Sequence, residues 1–167
     1  YRSWIESEYL EFSREKHIYD QIRFLDETGM EIVRINFNNG EAKIIDQSAL
    51  QSKGDRYYFK DTFVLEKNEV FVSPLDLNIE KGEIEKPLKP MIRFGVPVFD
   101  NDSTKRGVII INYLGENLIK SLKEAAELSV GNIMLVNSDG YWLYSQVKND
   151  EWGFMIKERD SLKFSNK

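Results

Sequence analysis

The spacing of apolar residues changes near residue 18, from a helical repeat to the alternation of a β-strand. Before this point, four apolar residues recur at helical spacing: Tyr1, Ile5, Tyr9 and Phe12. The segment contains neither Gly nor Pro, so the pattern predicts an amphipathic helix over residues 1–18. The chain is therefore constrained to begin as a long helix and to continue as a β-rich structure.

Short turns join the strands that follow. Residues 19–25 and 31–37 flank a turn at 26–29 and are predicted to form a hairpin. Further strands are predicted at 69–72, 91–99, 107–113, 132–136 and 141–145, and a second amphipathic helix at 117–128. The most apolar strand, 107–113, is expected to be central. Short connections favour antiparallel pairing, so the fold class is α+β, with one antiparallel sheet flanked by helices.

A strand, a turn with glycine and a second strand occur twice in the chain. Gly29 lies in the first such turn and Gly140 in the second, and about one small domain separates them. This pattern predicts that a second, related domain begins towards the end of the chain. Residues 77–87 are predicted to form a charged loop, and residues 55–61 match neither a helical nor a strand pattern.

The composition excludes several classes of protein. The 167 residues include 23 basic and 28 acidic side chains, mixed along the chain, so nucleic acid is not expected as a partner. The absence of cysteine excludes disulfides, thiolate metal sites and cysteine nucleophiles. His17 is the only histidine, which excludes zinc sites built on several histidines. The sequence contains no run of eighteen apolar residues that would predict a membrane span.

No catalytic motif is evident in the sequence. Gly29, Gly40, Gly54 and Gly107 are isolated, so none of them indicates a glycine-rich phosphate loop. No pair of carboxylates stands out for acid–base catalysis. We therefore expect this segment not to be an enzyme and to require no cofactor and no metal.

Several segments, in this order, resemble one family of sensors. They are residues 55–61 (DRYYFKD), 70–78 (VFVSPLDLN), 90–99 (PMIRFGVPVF), 107–113 (GVIIINY), 135–143 (LVNSDGYWL) and 151–154 (EWGF). Together with the long first helix, they resemble the double Cache sensors, also called PDC or PAS-like sensors, of membrane-bound histidine kinases. The combination covers nearly the whole chain and is more specific than any single segment.

The resemblance implies a domain organisation and a location. It implies a signalling helix at 1–18, a membrane-distal PAS-like domain at 19–128, and the incomplete beginning of a membrane-proximal PAS-like domain at 129–167. The segment is then the extracytoplasmic part of a cell-membrane protein, and it transmits a signal to a cytoplasmic histidine kinase. The apolar stripe of the first helix suggests a homodimer, which a monomer in ultracentrifugation at high concentration would contradict.

The resemblance also suggests a ligand site on one face of the distal sheet. The candidate residues are Arg56, Tyr57, Tyr58, Phe59, Ser73, Asp76 and Arg93. In amino-acid-binding relatives, an arginine beside two aromatic residues binds the ligand carboxylate, as Arg56 would, and a later aspartate binds the amine, as Asp76 would. The expected ligand is a small polar molecule such as an amino acid or an organic acid. The same pattern also fits core aromatic residues beside ordinary surface charges.

The sequence leaves four alternatives open. The same sensor fold could serve a diguanylate cyclase or a chemoreceptor, and only the cytoplasmic sequence would distinguish these from a kinase. A free-standing binding protein would lack a transmembrane segment upstream of Tyr1. A protein-interaction module would have a filled or collapsed pocket, and an enzyme of unknown class is disfavoured by the absent motifs.

Overall fold

Two parts of the chain each fold around a core of their own. The computed structural model describes residues 1–80, 82–127 and 130–166. The first unit contains Tyr1–Pro74 and Ile92–Leu114, and the second contains Leu75–Met91 and Gly115–Lys167. The predicted boundary between residues 128 and 129 lies outside the described residues, so the division into distal and proximal domains stays a prediction.

The predicted helices and strands occur in the predicted order, with additional short elements between them. The α-helices are α1 (Arg2–Lys16), α2 (Tyr57–Phe63) and α3 (Gly115–Glu127). The strands are β1 (Tyr19–Asp26), β2 (Glu31–Asn38), β3 (Glu41–Ile44), β4 (Phe71–Val72), β5 (Asp76–Leu77), β6 (Ile79–Glu80), β7 (Glu83–Ile84), β8 (Pro90–Phe99), β9 (Lys105–Leu114), β10 (Leu135–Val136) and β11 (Trp142–Tyr144). Short 3-10 helices lie at Gln47–Ala49, Lys148–Asp150, Lys157–Arg159 and Phe164–Asn166. None of the described helices is long and apolar enough to cross a membrane.

The first unit is built on an antiparallel sheet. Its strand order is β3-β2-β1-β9-β8-β4, and the ladders of β1 with β2 and with β9 are antiparallel. The predicted hairpin of β1 and β2 is confirmed, as is the central position of the apolar strand β9. These two results confirm the α+β fold class for this part of the chain.

One face of this sheet is apolar and lies against α1. Ile22, Val33 and Ile35 are buried in one cluster, against which Ile5 and Tyr9 of α1 pack. The helix ends where His17 adopts a left-handed conformation, with φ of 56°, and its N–H donates to the Ser13 carbonyl at 3.3 Å. The apolar stripe predicted for residues 1–18 therefore packs on the sheet through its central residues.

The α1 contact has a pH dependence that can be measured. Burial raises the pKa of Tyr9 to about 12, from an ordinary value of 10.0. Because the folded state favours the neutral phenol, its contribution to stability is complete below pH 10 and is lost as the pH rises through about 12. We expect the thermal midpoint to fall less steeply over this range in Tyr9→Phe than in the parent protein.

Circular dichroism melts at several pH values between 8 and 12 would measure this difference (about 1 °C precision suffices). Tyr1→Phe is the matched control, since Tyr1 is fully exposed and should leave the slope unchanged. Parallel slopes for Tyr9→Phe and the parent protein would show that Tyr9 does not report on the α1 contact.

The second unit has a separate apolar core. Leu77, Ile119, Leu143 and Trp152 are buried together in it. Strands β10 and β11 form the antiparallel hairpin predicted around Gly140, although both strands are shorter than predicted. The predicted charged loop at 77–87 is wrong in part, because β6 and β7 pair there as a small hairpin. Two-residue strands lack the length that makes alternation recognisable in a sequence.

Candidate ligand-binding site

The face of β1 that lies opposite α1 is polar. Side chains alternate along a strand, so Gln21 and Arg23 point away from Ile22 and Phe24, which belong to the apolar cluster beneath α1. Gln21 is 8% exposed and Arg23 is 2% exposed, so this polar face is buried. Burying polar groups is costly unless they form hydrogen bonds, so a buried polar face indicates a candidate binding site.

Strand pairing brings further polar residues to the same face. The ladders place Asn36 of β2 and Asn112 of β9 opposite Gln21, and Arg34 of β2 opposite Arg23. Directly paired residues point to the same side of a sheet. We call the following residues the polar cluster: Gln21, Arg23, Glu31, Arg34, Asn36, Tyr58, Arg93 and Asn112. All of them are buried except Asn36, which is half-buried.

Glu31 is the carboxylate around which two arginines of the polar cluster gather. Its Oε2 lies 3.0 Å from Arg34 Nη1 and accepts the backbone N–H of Gln51 at 3.0 Å. Its Oε1 lies 3.4 Å from Arg23 Nε, but these two atoms are not hydrogen-bonded to each other. Arg34 Nη2 also donates to the Ala49 carbonyl at 3.2 Å. Glu31 and Arg34 therefore attach the segment around residues 49–51 to the sheet.

Tyr58 lies among three arginines. Arg23 Nη1 donates to the Tyr58 hydroxyl at 3.4 Å, and Arg23 Nη2 also donates to Gln21 Oε1. Arg93 Cζ lies 5.2 Å from the centre of the Tyr58 ring, and Arg56 Cζ lies 5.8 Å from it. Cations at these distances interact favourably with the ring face. The arrangement gathers positive charge around a buried aromatic residue.

The side chain of Asn112 is buried and forms no hydrogen bond. It is 0% exposed, and neither its Nδ2 nor its Oδ1 has a hydrogen-bond partner. Leaving a buried polar group unpaired costs about 1–3 kcal/mol, so such a group points to a missing partner. The sequence interpretation did not include Asn112, although a polar residue directly after Val108–Ile111 in the most apolar strand was a usable signal.

The four predicted residues at 56–59 form the start of α2. Tyr58 and Phe59 are buried, Arg56 is half-buried, and Tyr57 is 37% exposed. Phe59 belongs to an apolar cluster with Leu25, and its ring stacks on Phe63 at a centroid distance of 5.5 Å. Of these four, Tyr58 belongs to the polar cluster, and Arg56 and Tyr57 contact it through the Tyr58 ring.

The three later candidates fall in both units. In the first unit, the Ser73 hydroxyl accepts the backbone N–H of Arg93 at 2.8 Å and donates to the Pro74 carbonyl at 2.7 Å. Ser73 thus positions β8, from which Arg93 extends over Tyr58. Asp76 belongs to the second unit, where it pairs with Met91 across the β5–β8 ladder. The binding roles of all these residues stay predictions.

The chain has the architecture of a PAS-like sensor. A helix precedes an antiparallel sheet, one sheet face carries that helix, and the other carries a buried polar cluster. Over residues 1–167 the sequence matches the family described as "Bacterial histidine kinase, sensor domain". The chain belongs to this family, and it is an extracytoplasmic sensor domain with the Cache-like fold implied by the sequence resemblance. No group of three or more metal-binding side chains is found among the residues described.

Solved structures of sensor domains are similar to this chain. A domain of a sensory box/GGDEF family protein from Vibrio parahaemolyticus is 29% identical, with a TM-score of 0.86. The extracellular domain of the histidine kinase vpHK1S-Z8 is 30% identical, with a TM-score of 0.85. Each is matched over 99% of this chain, which spans 62% and 58% of their respective lengths.

A more distant structure shares the fold alone. It is the ligand-binding domain of the Pseudomonas aeruginosa amino acid chemoreceptor PctC in complex with GABA, at 12% identity and a TM-score of 0.55. The match covers 90% of this chain and 70% of that domain. A comparison with curated proteins gives no match.

Proposed function

We propose that this domain binds a small polar molecule at the polar cluster and passes the signal to a cytoplasmic histidine kinase. The observation that carries the proposal is the buried polar cluster of the first unit, in which the side chain of Asn112 is unpaired. An unpaired buried carboxamide adds no stability to a folded domain, whereas a ligand could hydrogen-bond to it. Arg56, Tyr57, Tyr58 and Arg93 are the proposed contacts from the α2 and β8 side, with Ser73 supporting Arg93.

The two faces of β1 suggest how ligand binding at the polar cluster would affect α1. Gln21 and Arg23 face the polar cluster, while Ile22 and Phe24, one residue away, face the cluster that packs on α1. A ligand that repositions β1 would therefore also change the surface on which α1 rests. Such a change requires the ligand to bind one of two states more tightly than the other.

The output and the assembly of the whole protein are also proposals. The family name and the histidine kinase relative support a kinase output, and a membrane anchor stays a prediction. The GGDEF relative keeps a diguanylate cyclase open as the alternative output. Dimerisation through α1 stays a prediction, and the exposed Trp4 on that helix is a residue that a partner helix could cover.

A thermal-shift screen against amino acids, organic acids, amines and sugars tests the proposed function. A ligand at a hundredfold excess over its dissociation constant raises the free energy of unfolding by about 2.7 kcal/mol. We expect Arg56→Ala to weaken binding at least about tenfold, because it removes one cation beside Tyr58. Asp76→Ala tests whether the predicted aspartate contributes.

Arg106→Ala is the matched control for the screen. Arg106 lies in the same unit, and its exposed side chain pairs with Asp100 at 2.7 Å. It should leave every ligand-induced shift unchanged. If no solute shifts the midpoint, the small-ligand proposal fails and a protein partner becomes the better explanation of the domain.

A further inference from the structure

We infer that the ligand of the polar cluster is a small hydroxy acid, with a carboxylate at one end and a neutral hydroxyl group at the other. This inference rests on the proposed function and adds the chemical class of the ligand. Its two parts are an anion subsite at Arg23 and Arg34 and a neutral subsite at Asn112.

The anion subsite follows from the pairing of charges around Glu31. Arg23 and Arg34 share this one carboxylate, so the three side chains together carry one excess positive charge. Neither Arg34 Nε nor Arg23 Nε donates a hydrogen bond, although Arg23 Nε lies 3.4 Å from Glu31 Oε1. Their side chains are 3% and 9% exposed, so water satisfies this charge poorly. A ligand carboxylate would supply the missing acceptors and neutralise the excess charge.

The neutral subsite follows from the chemistry of Asn112. A carboxamide donates through Nδ2 and accepts through Oδ1, and both atoms are unpaired here. A hydroxyl group also donates and accepts, so it can satisfy both atoms. An ammonium group can only donate, so it would leave Nδ2 unpaired and add a positive charge near Arg23.

The two subsites are close enough for one small molecule. Asn112 pairs with Gln21, and Gln21 lies two residues from Arg23 on the same face of β1. Asn112 and Arg23 are therefore diagonal neighbours on adjacent strands, a separation of about 7–8 Å. A chain of three or four carbon atoms with a carboxylate and a hydroxyl group bridges a gap of this order once the side chains extend towards it.

Matched pairs of ligands test this inference directly. The hydroxy acids 3-hydroxypropionate and 4-hydroxybutyrate carry a terminal hydroxyl group where the amino acids β-alanine and 4-aminobutyrate carry an ammonium group. We expect at least one hydroxy acid to raise the thermal midpoint and to bind at least tenfold more tightly than its amino acid counterpart. An amino acid, an amine or a sugar that binds better would overturn the inference and leave the proposed function standing. No shift from any compound would overturn both.

Substitution of Asn112 is expected to change ligand binding without lowering the stability of the unliganded domain. Asn112→Leu removes both polar atoms at nearly constant volume, so the shift by the hydroxy acid should disappear. The midpoint without ligand should stay the same or rise, because the carboxamide makes no hydrogen bond in the folded protein. An undiminished shift in Asn112→Leu rules out the neutral subsite.

A second variant guards against a folding defect in Asn112→Leu. Asn112→Asp keeps the shape of the side chain and places a negative charge beside the anion subsite. We expect it to weaken binding of the hydroxy acid at least tenfold and to improve binding of the matched amino acid. Unchanged affinity for both acids contradicts the inference.

Discussion

Glu31→Ala is expected to lower the free energy of unfolding by about 3–5 kcal/mol, a large part of the stability of a small domain. The Glu31 side chain is 0% exposed and lies against Arg34 and Arg23. Its removal leaves two buried guanidinium groups without their shared carboxylate, and the backbone N–H of Gln51 loses its acceptor. The loss should therefore exceed that of an ordinary core truncation to alanine at a residue of similar size.

Urea unfolding followed by circular dichroism measures this loss. Glu11→Ala is the matched control, since Glu11 pairs with Arg14 on the surface of α1, and its side chain is 62% exposed. An exposed pair of this kind contributes less than about 1 kcal/mol. Similar losses in Glu31→Ala and Glu11→Ala would show that the buried carboxylate does not hold the cluster together.

Gly107→Ala is expected to destabilise the protein by more than about 2 kcal/mol, through a contact between two backbones. Gly107 has a φ of 143°, and an added Cβ would lie 2.0 Å from the carbonyl oxygen of Leu25. Gly107 pairs with Asp26 in the central β1–β9 ladder, so neither strand can move away without breaking hydrogen bonds of that ladder. The clash would therefore be relieved only by opening the end of the β1–β9 ladder.

Gly40→Ala separates the contact from the backbone conformation. Gly40 also has a positive φ, of 80°, but an added Cβ there would meet no atom within 4 Å. Gly40→Ala should lower the free energy of unfolding by about 1 kcal/mol, through conformational strain alone. Chemical unfolding of both variants measures the difference, and equal losses would exclude the close approach of β1 and β9 as the cause.

The sequence was most informative where many consecutive residues repeat one pattern. The helix predicted at 1–18 is α1, and the alternation at 31–37 is β2, because each pattern extends over at least seven residues. The apolar strand at 107–113 lies at the centre of the sheet as expected. Residues 55–61 could not be assigned, because α2 is only seven residues long and buries two of its aromatic residues. One or two turns of helix do not display a period.

Pairing between distant residues could not be predicted from these patterns. Arg93 was predicted as a site residue, but the pairing of Glu31 with Arg23 and Arg34 and the unpaired amide of Asn112 were not. Residues 75–91 belong with 115–167 in the second unit, an association that no local pattern indicates. Asp76 was grouped with Arg56 from the family resemblance, and the structure assigns these two residues to different units.

The sequence by itself therefore determined the fold class, the order of the main elements and the family of sensors to which this chain belongs. Those properties depend on local periodicity and on short segments in a fixed order, both of which can be read from neighbouring residues. The tertiary structure alone decided which side chains form the polar cluster. Residues 21, 36 and 112 meet only because strand register and strand order bring them to one face, against which α2 places Tyr58. Their burial makes the unpaired amide of Asn112 a candidate binding group.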